Sequence, residues 1–187
     1  MSTSIKKRGK GGFTLVETLV AISLLTTAIV TPMALATQSL SVSYYARDQI
    51  AAFHFAQEAI EAVRSVRDGN ILTNARTGTD AVDLLAGIPI GTPFTIDTRD
   101  NNIVPCAGTC SPLQTDGTLF GYGNNIPGWK NTLFTRTVTA NRVTPAEGPP
   151  DEVKISVLIQ WKPNALGAIR SFTISENLYR WVASGVQ

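Results

Sequence analysis

The chain is short of charge. Charged side chains make up 16% of its 187 residues, against about a quarter in ordinary soluble domains. It has one histidine, His54, two cysteines, Cys106 and Cys110, and no Lys or Arg between Phe13 and Tyr45, where Glu17 is the single acid. Each shortage excludes something. A lone histidine followed by Phe55 on a helical run reads as a packed or surface residue, not as a base. No nucleophile elbow, phosphate-binding loop or His-Glu-x-x-His stretch occurs. Two cysteines without a second pair do not make a zinc site. No catalytic residue, metal or cofactor is therefore expected, and the chain reads as non-enzymatic. Low charge beside 43% hydrophobic residues also argues against disorder and against a plain cytosolic enzyme. The length suits one domain with an appendage.

What charge there is lies unevenly. Lys6, Lys7, Arg8 and Lys10 put four positive charges and no acid into the first twelve residues, which leaves twelve basic and fourteen acidic side chains in the other 175. Basicity confined to a short leader is an address, not a nucleic-acid footprint, and no nucleic-acid partner is expected. The tryptophans Trp129, Trp161 and Trp181 read as core or sheet-face residues.

After the leader comes an apolar run, and Thr18 to Thr37 gives 20 uncharged residues, enough to cross about 30 Å of hydrocarbon as a helix. Basic residues ahead of it hold that side in the cytoplasm and send the remainder outward. Two ordinary readings come first. A cleaved secretory signal would use Ala34-Leu35-Ala36, beyond Pro32, and release a secreted ligand-binding module. A signal anchor needs only the span and its basic flank. Neither explains Glu17, whose burial near the middle of a membrane helix costs up to about 3 kcal/mol.

The stretch Lys10-Gly11-Gly12-Phe13-Thr14-Leu15-Val16-Glu17 resembles the processing site of type IV prepilins and type II secretion pseudopilins. The shared features are a short basic leader, a glycine, and Phe-Thr-Leu-x-Glu opening an apolar helix. The resemblance implies that a prepilin peptidase cuts between Gly12 and Phe13 on the cytoplasmic side and that the new amine of Phe13 is N-methylated. It also implies the partners: other pilin or pseudopilin subunits, an inner-membrane assembly platform and membrane lipid. The stretch from Ala56 to Arg64 and the strand ending at Trp161 look like minor pilins of the PilV type and secretion I-pseudopilins.

The positions also have chemistry of their own. Gly12 lets the scissile peptide be drawn extended into a protease cleft with no Cβ in the way. Gly11 offers the same freedom, but only a cut after Gly12 makes Glu17 the fifth mature residue. Glu17 then acquires a counter-charge, the cationic amine of Phe13 in its own or a neighbouring subunit. Such a pair inside apolar helices fixes register more than it adds stability. The alternative is a carboxylate idle at head-group level.

Beyond the span, Val42, Tyr45, Gln49, Phe53, Ala56, Ile60 and Val63 recur at helical spacing and predict an amphipathic half that stops at Asp68-Gly69-Asn70. A coiled-coil seam is the competing reading. Pro32 predicts a kink, and Glu61 with Arg64 and Arg64 with Asp68 predict surface pairs. The expected layout is a cleaved leader over 1–12, a membrane or filament-core helix over 13–37, an amphipathic half over 38–68 and an extracytoplasmic head over 69–187. Within the head, 69–131 reads as irregular, with small strands at Pro93–Ile96 and Leu119–Tyr122, and 132–182 as antiparallel strands. In an oxidising compartment Cys106 and Cys110 are candidates for a local disulfide, with two free thiols as the other possibility. Asp80, Asp83, Asp97, Asp100 and Asp116 lack the dense spacing of a Ca²⁺ loop. The fold class expected is α+β: a long N-terminal helix packed on a C-terminal antiparallel sheet.

Overall fold

The computed structural model describes residues 11–78, 83, 85–123, 126–143, 152–163 and 168–179. The leader residues 1–10, Asp80, residues 144–151 and Trp181 lie outside them. By contacts the chain divides into two units, Met1–Ala46 and Arg47–Gln187, and one helix, α1 (Leu15–Thr77), contributes to both.

In the first unit Gly11 to Thr14 are non-helical, and every described residue from there to Ala46 is exposed. The apolar run is helical throughout and the helix continues through Pro32. Its hydroxyls are satisfied locally. Thr18, Ser23, Thr26, Thr27, Thr31 and Thr37 each donate to a carbonyl three or four residues back, at 2.8–3.0 Å. That removes much of the cost these groups would carry in an apolar medium.

In the second unit α1 meets an antiparallel sheet. The long strand β5 (Lys130–Arg142) is its axis. On one side β5 pairs with β6 (Glu152–Trp161), which pairs with β7 (Arg170–Tyr179). On the other side it meets two shorter pairs. One is β1 (Phe94–Asp97) with β2 (Asn102–Pro105), and the other is β3 (Pro112–Thr115) with β4 (Phe120–Gly121). Strict alternation on β6 sends Val153, Ile155, Val157, Ile159 and Trp161 inward, as period-two patterning requires. They pack with Val138 and Phe134 of β5 against Ala52, Phe55, Ala56, Ala59 and Val63 of α1. Phe55 is the hinge of the contact, its ring 5.2 Å from Phe134 and 4.8 Å from Phe120.

Three expectations need correction. The helix does not stop at Asp68-Gly69-Asn70 but runs to Thr77, ending at Gly78, whose φ of 63° suits a helix C-terminus. An internal glycine costs a helix about 1 kcal/mol. Here Asn70 Nδ2 donates to Ala86 O at 3.1 Å, which anchors the extra turns. The expected stripe holds only in its second half. Ala56, Ile60 and Val63 are buried as expected, whereas Val42, Tyr45, Gln49 and Phe53 are exposed, and Ala52, Phe55, Ala59 and Ala62 complete the buried face. The segment 69–131 is more ordered than expected, holding the end of α1 and four short strands, two of them (β2 and β3) unforeseen. Of the surface pairs, Arg64 does meet Glu61 at 2.5 Å. It also binds Glu176 of β7, while Asp68 is held by Arg67 at 2.8 Å.

Candidate functional site

The N-terminal segment is built around Thr14. Its Oγ1 accepts from the backbone N–H of Glu17 at 3.3 Å and its carbonyl from Thr18 at 3.2 Å, which makes it the N-cap of α1. Thr14-x-x-Glu17 is thus a capping-box sequence. Sequence reasoning passed over this signal although it lies in plain view. Glu17 occupies the first turn, where a carboxylate is favoured by the helix dipole. Phe13, at 78% exposure, and Leu15, Val16 and Leu19 stand open around it. Gly12 and Gly11 are equally open, since a Cβ at either would meet nothing within 4 Å. The chain's own packing therefore does not demand glycine at either position, and a requirement for it must come from whatever grips the segment. The choice of Gly12 over Gly11 rests on the register to Glu17.

Cys106 and Cys110 are joined in the structure, with Cα atoms 5.0 Å apart. The loop they close links the end of β2 to the start of β3. Cys106 N–H also donates to Pro93 O at 2.8 Å. The bridge is far in sequence from Gly12, Phe13 and Glu17 and belongs to the other unit.

Asp83, Asp100 and Asp116 serve turns. Oδ1 of Asp83 accepts from Leu85 N–H at 3.2 Å, that of Asp100 from Asn102 N–H at 3.0 Å, and that of Asp116 from Thr118 and Leu119 N–H at 2.8 Å. Asp97 is buried on β1 and accepts from Arg99 through Nη2 at 2.6 Å and Nε at 3.0 Å, and from Tyr122 N–H at 2.9 Å. Burial pushes its carboxyl up, but the Arg99 guanidinium and the two backbone donors of Tyr122 and Arg99 outweigh that and hold it at about 2. Arg99 in turn lies 4.4 Å over the Trp129 ring. Among the described residues no three His, Cys, Asp or Glu side chains converge on a metal-sized site. His54 stands on the rim of an open groove of about 600 Å³ beside Glu58, Glu61 and Ser65. Ser65 Oγ accepts from Asn101 Nδ2 at 3.1 Å and so holds the β1–β2 turn.

The most deeply buried charge was missed. Arg136 on β5 is 1% exposed. It donates to Ile96 O at 2.6 Å and Phe55 O at 3.2 Å, with Glu58 3.9 Å away. It ties helix to sheet, and the signal for it was a basic residue at an inward position of an alternating strand.

A family model described as the prokaryotic N-terminal methylation motif matches residues 7–31. No curated protein and no solved structure matches the chain. The matched stretch runs from the basic leader across Gly12, Phe13 and Glu17 into α1. It indicates a prepilin-peptidase substrate that assembles with other pilins, and its pilin-family character suggests a structural, non-enzymatic role. With one long helix packed on an antiparallel sheet behind it, the motif supports a type IV pilin-like protein.

Proposed function

We propose that this chain is a structural subunit, a minor one, of a type IV pilus or a type II secretion pseudopilus. In this reading prepilin peptidase cuts between Gly12 and Phe13, the amine of Phe13 is N-methylated, and residues 13–37 hold the subunit in the inner membrane until assembly. The N-terminus is cytoplasmic and the head extracytoplasmic, by the basic leader. Glu17 pairs with the amine of Phe13 and selects axial register. The observation that carries the reading is the methylation motif at residues 7–31, opening directly into an exposed apolar helix long enough to cross a membrane. A cut after Ala36 is the poorer alternative, because it would fall inside the continuous helix. The minor rather than major role is supported by the sequence likeness of 56–64 and of the strand ending at Trp161 to minor pilins and I-pseudopilins. The test is co-purification. Epitope-tagged chain should appear in sheared surface filaments or cross-linked pseudopili at a small fraction of the most abundant subunit. Its absence from both, with normal membrane levels, would refute the proposal.

A further inference from the structure

The uncharged stretch of α1 is longer than a hydrocarbon core needs. It runs from Thr18 to Ala46, 29 residues, and is helical throughout. At 1.5 Å per residue that is about 43 Å. About 20 residues cover the roughly 30 Å of hydrocarbon, whereas a bilayer measured across its head-group regions is about 40–45 Å thick. At a typical tilt of about 20° the stretch projects about 41 Å on the membrane normal, within that range. Its length matches the whole bilayer and not the hydrocarbon alone.

Composition changes where this arithmetic puts the edge of the hydrocarbon. Thr18 to Thr37 is predominantly apolar. Beyond it Gln38, Ser39, Ser41 and Ser43 alternate with Leu40 and Val42 and lead to the pair Tyr44-Tyr45, and the first charges after Glu17 are Arg47 and Asp48. Uncharged polar groups with tyrosine make the composition of a head-group zone, where an amphipathic ring keeps its body among acyl chains and its hydroxyl in water. Leu40, Val42, Tyr44 and Tyr45 are all exposed, Tyr44 at 58%. Side chains on a helix lean toward its N-terminus, so each covers the turn before its own Cα. For α1 that direction is toward the apolar run. Tyrosines at 44 and 45 therefore cover the turn at 40 to 42. That turn begins three residues past Thr37, about 4.5 Å along the helix, inside the roughly 5–7 Å depth of one head-group region.

We infer that residues 38–46 form a collar that binds the head-group region of the leaflet away from the basic leader, with Tyr44 and Tyr45 as its anchors and phospholipid as its partner. The inference rests on the membrane-spanning reading of residues 13–37 and extends it to a second lipid contact. The collar is continuous with the span, which delivers it to the lipid, and its neutral polar groups can bond head-group esters and phosphates without calling for an anionic lipid. Such a collar fixes the axial depth of α1. It thereby holds Glu17, about 40 Å back along the helix from Tyr44, at the opposite face of the membrane.

The test uses the full chain, its disulfide intact, reconstituted in vesicles of dioleoylphosphatidylcholine. A nitroxide is attached through one added cysteine at Ala28 in the span, at Leu40 or Ser43 in the collar, or at Thr118 on the exposed turn between β3 and β4. Its collisions with oxygen and with a water-soluble nickel chelate are then measured. Ala28 should be reached by oxygen and shielded from nickel, Thr118 the reverse, and Leu40 and Ser43 should lie between, at head-group depth. Tyr44→Ser with Tyr45→Ser should raise nickel access at Leu40 and Ser43 severalfold, toward the value at Thr118, whereas Tyr44→Trp with Tyr45→Trp should keep the wild-type profile. Tyr44→Ser alone should give a smaller rise and serves if the double variant fails to fold. Leu40 and Ser43 as open to nickel as Thr118 in the wild type, or unmoved by loss of the tyrosines, would overturn the inference. Free nickel access at Ala28 would instead refute the span on which it rests.

Discussion

Replacing Glu17 with leucine separates the monomer from the assembly. In the monomer little should change. Leu and Glu have nearly equal helix propensities, the Thr14 cap bonds the backbone of position 17 and survives, and losing an acid from the first turn costs about 0.3–1 kcal/mol. In lipid the change is favourable, because the carboxylate is gone. In a dry bundle of helices the balance reverses. No Lys or Arg lies between Phe13 and Tyr45, so the span carries no other cation, and the amine of Phe13 is left buried without its counter-charge. Breaking a buried pair by removing one partner costs about 3–5 kcal/mol. At about 1.4 kcal/mol per decade, the ratio of filament-incorporated to membrane-bound subunit should fall by two orders of magnitude or more. The assay is quantitative immunoblotting of sheared filaments or cross-linked pseudopili against the membrane fraction, with cleavage monitored by mass in both. Processing should be normal. A wild-type incorporation ratio for Glu17→Leu would refute the pairing argument and leave the acid with its first-turn position alone.

Gly12→Val should block maturation while leaving membrane insertion intact, seen as a single immunoblot species about twelve residues heavier than the mature chain; the added side chain meets nothing in the chain itself, so any block arises in the peptidase cleft. Changing Cys106 and Cys110 together to serine should leave the head folded and cost at most about 2–3 kcal/mol in chemical denaturation, because so short a loop restricts the unfolded chain little. Asp97 sets an acid limit. Its folded value of about 2 lies below the usual 3.8, so its stabilisation is complete above the unfolded value and is lost as pH falls through the folded one, by at most about 2 kcal/mol. Asp97→Asn should remove that part of the acid dependence between about pH 4 and 2 in thermal melts, and an unchanged acid limb would contradict it.

The parts of this molecule that were legible in sequence are those where one property repeats. The alternation from Val153 to Trp161 gave β6 and its inward face, and the leader, Gly12, Phe13 and Glu17 gave the processing motif. The helix face was misread because hydrophobic size is not the same as contact. The large residues Tyr45 and Phe53 stand 39% and 40% exposed, while Ala52, Ala59 and Ala62, too small to weigh in a hydropathy pattern, join the expected Ala56, Ile60 and Val63 on the buried face. The extension past Gly69 depends on Asn70 reaching Ala86, 16 residues on, which local propensity does not encode. Strands β2 and β3 are four residues each, and each contains a proline, so they read as loop. Arg136 was overlooked, and Asp97 read only as one of several loop aspartates, because Phe55 and Ile96 beside the first and Tyr122 beside the second are brought close by tertiary structure alone.

The central claim concerns where the mature chain begins. Intact mass and N-terminal sequencing of the protein extracted from membranes of a host with an active prepilin peptidase decide it. The account predicts a chain that starts at Phe13 and carries one added methyl group on its amine. A chain that starts at Met1 or at Thr37 would contradict it.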